Sequence, residues 1–133
     1  MAPLTTTYSI YNSRMTLKDS LYKIKKIDRI DNNIVVKLEI LSDHPIYQGH
    51  FPEKAVVPGV CTLTIIKECL SEILGRTIMF SSIKECKYLS ALLPTCNINI
   101  AINMEILDDT KIRSTVINED NQQPVLKLRA AFL

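Results

Sequence analysis

The 133-residue chain contains no tryptophan, three glycines, two histidines and only 6% aromatic residues. It has no internal repeat, low-complexity tract or Gly/Ser-rich linker at which it could divide, so one domain spanning residues 1–133 is expected. Excess charge of one sign is missing too: 16 Lys and Arg stand against 14 Asp and Glu, a net +2. A nucleic-acid-binding domain normally shows a clustered basic excess, so no nucleic-acid partner is expected. No apolar run approaches the roughly 20 residues that span a bilayer, which leaves no membrane partner in view. The opening MAPLTTTYSIYNSR lacks the basic start, apolar stretch and small-residue cleavage site of a secretory signal, and the expected location is the cytoplasm. Cys61, Cys69, Cys86 and Cys96 have neither C-x-x-C spacing nor a secreted disulfide framework. They read as reduced, mostly buried thiols acting as small hydrophobes.

What is present is an ordinary core. Apolar residues make up 47% of the chain, and a domain of this size needs no disulfide or metal staple, since small domains become marginal only below roughly 60 residues. Leu21 to Ile30 and Ile34 to Leu41 read as strands joined through Asp31-Asn32-Asn33, residue types that favour turns, which predicts a hairpin. Periodicity vanishes from Ser42 to Val57, where Pro45, Pro52 and Pro58 punctuate a loop carrying both histidines, His44 and His50. After Pro58 the pattern turns helical. Val60, Leu63, Ile66, Leu70, Ile73 and Leu74 recur at three- and four-residue steps, and Gly75 supplies a normal stop. Thr64, Lys67, Glu68, Ser71 and Glu72 fall on another side, yet Cys61 and Ile65 at its edges predict a helix covered over most of its circumference. Strands are predicted for Ile78 to Leu89, Asn97 to Ile106, Lys111 to Ile117 and Val125 to Phe132. In Asn97 to Ile106, Ile98, Ile100, Ile102, Met104 and Ile106 share one face. Two strands, one helix and three or four further antiparallel strands make an α+β layout whose sheet can wrap around one helix.

The chemistry-bearing segment is Gly49-His50-Phe51-Pro52, followed after five residues by Pro58-Gly59-Val60 at the helix start. A proline ahead of a helix and a glycine in its first turn let a ligand approach the unpaired backbone N–H groups there. Those donors, with the helix dipole, favour an oxygen gaining negative charge. His50, on a Pro-bounded loop, can exchange protons near neutral pH. Together they suit chemistry beside a carbonyl. The same residues also fit a plainer reading, in which Gly and Pro shape a turn and His50 bonds a backbone carbonyl.

The run His44-Pro45-Ile46-Tyr47-Gln48-Gly49-His50-Phe51-Pro52, then Val56-Val57-Pro58-Gly59-Val60, resembles the signature of the hotdog-fold 3-hydroxyacyl-[acyl-carrier-protein] dehydratases of fatty-acid synthesis. A second stretch, Ile83-Lys84-Glu85-Cys86-Lys87-Tyr88 followed by Leu92-Leu93-Pro94, resembles that family's strand before its Pro-Gly-Asp loop. The resemblance covers about Lys23 to Leu133. It implies a sheet wrapped around a central helix and a homodimer with two shared sites, or a higher oligomer of such pairs. It further implies an acyl substrate tethered through phosphopantetheine to an acyl carrier protein, and elimination of water to give a trans-2-enoyl thioester. His50 would remove the proton alpha to the thioester, and the Gly59 N–H would hold the thioester oxygen. Phe51, Pro58, Val60 and Cys61 would line the substrate. No cofactor or metal is required, because the proton shifts involve no redox change.

One family element is replaced. Where the family carries a Glu or Asp, five residues after the helix-opening glycine, this chain has Thr64. A threonine hydroxyl can hold a water or a substrate hydroxyl, but it does not supply a proton as a carboxylic acid does. Loss of a general acid costs about 10² to 10⁴ in rate. Glu68, one turn further on the same face, is a substitute acid or else an ion-pair partner of Lys67. Asp43 and Glu53 are further carboxylates on the histidine loop. Three functions therefore stay open: a dehydratase, an acyl-thioester-binding partner subunit without elimination chemistry, and a thioesterase on the same fold. Cys61, in the first helical turn, is a buried core residue or a thiolate paired with His50. His44 is a turn residue. Lys23, Lys25, Lys26 and Arg29 are a solvated strand face or a greeting surface for an acidic carrier.

Overall fold

The structure, a computed structural model, describes residues 16–49 and 56–133. Strand β1 (Tyr22–Ile30) turns into β2 (Asn33–Ile40), and a 3-10 helix follows at Pro45–Gly49. Helix α1 (Gly59–Leu74) leads to β3 (Phe80–Tyr88), β4 (Ile98–Ile106), β5 (Lys111–Asn118) and β6 (Gln123–Phe132). The expected hairpin, helix and strands form, with ends moved by one or two residues. Their lateral order differs from simple succession. The six-stranded sheet runs β1-β2-β4-β5-β6-β3 with every pairing antiparallel, so β2 pairs with β4 while β3 crosses to the far edge beside β6.

Register explains the core. Val36, Ile102, Val116 and Leu126 oppose one another across β2, β4, β5 and β6, and all four are buried. The next rung joins Ile34, Met104, Ser114 and Leu128, also buried. Because side chains alternate along a strand, these rungs project to one face of the sheet. There they join Cys61, Ile65, Ile66, Cys69 and Leu70 of α1 in a single cluster. Full burial of each large aliphatic side chain is worth about 1.5–3 kcal/mol. Helix α1 ends where Gly75 adopts φ 70°, a left-handed geometry open to glycine without steric cost, and its N–H returns to the Ser71 carbonyl.

The helix is buried beyond its apolar positions. Thr64 and Lys67, which helical spacing assigns to a polar side, are 0% and 3% exposed. Burial lowers the tendency of the Lys67 ammonium to hold its proton. The first part of the polar strip on α1, at Thr64 and Lys67, therefore faces protein, as expected of a helix enclosed by a sheet, while Glu72 near its end stays exposed.

Candidate active site

The start of α1 is fixed from behind. The Val57 N–H donates to the Leu92 carbonyl at 2.9 Å, tying the approach to the helix to the loop after β3. Pro58 takes the N-cap position without any side-chain cap, and the first bond of the turn runs from the Cys61 N–H to the Pro58 carbonyl. The Gly59 N–H has no acceptor among the described residues, which leaves it available to a ligand oxygen.

Gly59 is required here by a close approach. A Cβ at this position would lie 2.5 Å from Tyr88 Cε1, 2.6 Å from Cζ and 2.8 Å from the hydroxyl oxygen. Tyr88 closes β3, and its ring lies over the first residue of α1 while half of the side chain stays open to solvent. Its hydroxyl also engages the Cys86 side chain two residues back, and burial holds the phenol in its protonated form well above the ordinary range. The sequence pattern contained Tyr88 but gave it no role. The signal that could have pointed to it is a glycine where helix propensity disfavours one, which asks what large group lies over that position.

The other expected site residues separate. Pro58 and Cys61 are buried at the helix start, and Val60 is half-buried beside them. His50, Phe51 and Glu53 lie outside the described residues. Burial pushes the Cys61 thiol up to about 12, which rules against a thiolate and makes it a core residue. Cys69 is equally buried, but Cys86 is only partly buried and Cys96 is exposed, so fewer cysteines lie inside than the sequence suggested. The Thr64 hydroxyl donates to the Val60 carbonyl one turn back at 2.9 Å, which commits its only proton within the helix.

Glu68 turns toward the beginning of the chain. Its carboxylate accepts from the Leu17 N–H at 2.8 and 3.0 Å, the Lys18 N–H at 3.1 Å, the Thr16 hydroxyl at 3.1 Å and the buried Tyr22 hydroxyl at 2.8 Å. This is a clasp on the segment leading into β1. An ion pair with Lys67 is not what occupies it. His44 is the turn residue expected, its Nδ1 accepting from the Ile46 N–H at 3.1 Å. On β1, Lys25 is matched by Asn99 and Glu39 and Lys26 by Asp28, so much of that basic strand is locally compensated.

The sequence matches the ApeI-like family, described as ApeI dehydratase, over residues 26–126. Among curated proteins, a 3-hydroxyacyl-[acyl-carrier-protein] dehydratase FabZ of Ligilactobacillus salivarius is 27% identical over 107 residues, covering 71% of this chain and 73% of the relative. One from Macrococcus caseolyticus is 30% identical over 73 residues, and the match spans only 50% of each protein's length. Among solved structures, the dehydratase heterocomplex ApeI:P of Xenorhabdus doucetiae superposes with a TM-score of 0.70 at 16% identity, covering 83% of this chain and 96% of that one. A hypothetical thioesterase of Streptococcus pneumoniae solved with coenzyme A gives a TM-score of 0.58 at 14% identity, covering 84% and 83%. These neighbours share the antiparallel sheet around one helix that defines the hotdog fold.

Proposed function

Since the chain belongs to the ApeI-like dehydratase family, we propose that it eliminates water from 3-hydroxyacyl thioesters presented by an acyl carrier protein. The observation that carries this reading is the Gly59 N–H, without an acceptor among the described residues at a helix start whose N-cap is Pro58, a donor suited to a thioester oxygen as it becomes an enolate. His50 takes the proton from the carbon alpha to the thioester. The bond from the beta carbon to its hydroxyl then breaks as the double bond forms, and the imidazolium returns its proton to the departing oxygen, which leaves as water. One histidine balances the reaction, so no carboxylic acid at position 64 is needed. Glu68 holds the start of the chain in this scheme and is not the acid.

The protein works as a homodimer joined through β3. Edge β1 is guarded by Lys23, Lys25, Lys26 and Arg29 and by an irregularity between Ile24 and Lys26, both devices that discourage pairing. Edge β3 shares these features, with Lys84, Lys87 and two register irregularities, and both edges expose apolar residues, Ile27 and Ile30 on β1 and Ile83 and Tyr88 on β3; β3 is the edge that ends, at Tyr88, over the helix start where a shared site would form. The second reading, an acyl-binding subunit without elimination chemistry, is favoured by the committed Thr64 hydroxyl and the occupied Glu68 carboxylate.

The deciding experiment follows 3-hydroxyacyl and 2-enoyl thioesters on carrier protein by mass spectrometry, with wild type and His50→Ala. The expected result is interconversion by wild type and a loss of about 10² to 10⁴ in His50→Ala. Binding of the acylated carrier without turnover would establish the acyl-binding subunit, and release of free acid would establish a thioesterase.

A further inference from the structure

The dehydratase reading leaves Tyr88 unused, although its side chain lies directly over the helix start. Three observations converge on it. Its ring and hydroxyl occupy the space that a Cβ at Gly59 would need, with the hydroxyl oxygen 2.8 Å from that point. The side chain arrives from β3, so a strand and a helix bring two donors to one place: the Gly59 N–H, without an acceptor among the described residues, and the Tyr88 hydroxyl. Tyr88 is 54% exposed, and its described partner is the Cys86 sulfur, a weak acceptor that a carbonyl oxygen can replace.

We infer that the Tyr88 hydroxyl donates a second hydrogen bond, beside that of the Gly59 N–H, to the thioester carbonyl oxygen of the bound acyl group. Tyr88 keeps its proton throughout. The bond is stronger to an enolate than to a neutral carbonyl, so it favours the charge-separated intermediate over the bound substrate. The phenol is suited to this because burial, ahead of its contact with Cys86, holds it in the protonated form across the neutral range. With the acid of position 64 absent, a chain that eliminates through an enolate gains from a second donor at the oxygen where charge collects.

The inference rests on the thioester reading of the site, and its test separates the two. A 2-enoyl thioester of pantetheine, labelled with ¹³C at the carbonyl, is added to the full chain, and its carbonyl band is recorded by difference infrared spectroscopy. In wild type the band is expected to move to lower frequency than in solution. Tyr88→Phe, which keeps the ring over Gly59, is expected to reverse a large part of that shift. The same variant lowers kcat by about 10²-fold with KM changed less than about threefold, the pattern of a donor that matters most at the oxyanion.

An unchanged band and kcat in Tyr88→Phe would overturn the assignment. So would a defect in Tyr88→Leu that Tyr88→Phe does not share, since that pattern is one of packing. A Tyr88-dependent band shift without turnover would sink the dehydratase reading but support the Tyr88 contact. Absence of any thioester binding would sink both.

Discussion

At the scale of single residues, Glu68 shows how a carboxylate can be removed from chemistry by its neighbours. Helical spacing places it one turn from Thr64, where a substitute acid would be wanted, but spacing carries no information about what packs above the helix. Two backbone amides and two hydroxyls from residues 16–22 converge on it. Glu68→Ala would strand the buried Tyr22 hydroxyl and free the segment before β1. The expected loss is about 2–3 kcal/mol, since hydrogen bonds to a charged group are worth more than neutral ones. A urea unfolding curve checks this, and a midpoint equal to that of wild type would mean that the clasp contributes nothing. The buried Lys67 eluded the sequence for a related reason: a polar residue on a helical wheel is taken as solvent-facing until a second layer covers it.

At the scale of elements, the hairpin, the helix with its glycine stop and the alternating β4 were legible because each is written in local periodicity and turn chemistry. The crossing of β3 to the far edge was not, because strand order depends on partners distant in sequence. The same holds for Tyr88 over Gly59, a contact between residues on different elements. One junction between elements has a pH signature. Asp120, in the turn between β5 and β6, accepts from the Asn99 side-chain amide at 2.9 Å and from the Asn99 backbone N–H at 3.0 Å, which pins that turn to the start of β4. These bonds, the side-chain one foremost, hold its carboxyl below the usual 3.8. A value lowered by folding means that the folded state favours the ionised form. Its stabilising contribution is thus complete above the unfolded value and is lost as pH falls through the lower folded one. Asp120→Asn should therefore lose stability less steeply than wild type between about pH 5 and pH 2. Melting temperatures taken across that interval decide it, and parallel curves would reject the role.

At the scale of the whole molecule, the two ends of the sheet are alike in protection and unlike in place. Both carry lysines and register irregularities and both expose apolar side chains, Ile27 and Ile30 on β1 and Ile83 and Tyr88 on β3, but β3 is the one that ends over the helix start. Pairing of two β3 strands about a twofold axis would cover Ile83 and extend the sheet, leaving the Tyr88 side chain over the helix start. Ile83→Lys brings like charges together across that axis and adds an edge lysine that opposes strand pairing. The expected outcome is a shift from dimer to monomer in analytical ultracentrifugation, with the circular dichroism of the fold retained. A variant that sediments as wild type does would place the interface elsewhere.

The place of β3 also sets what a pair would share. Because this edge strand ends over the first turn of α1, a copy paired along it would stand next to the Gly59 N–H, and each site would lie at the seam between two chains.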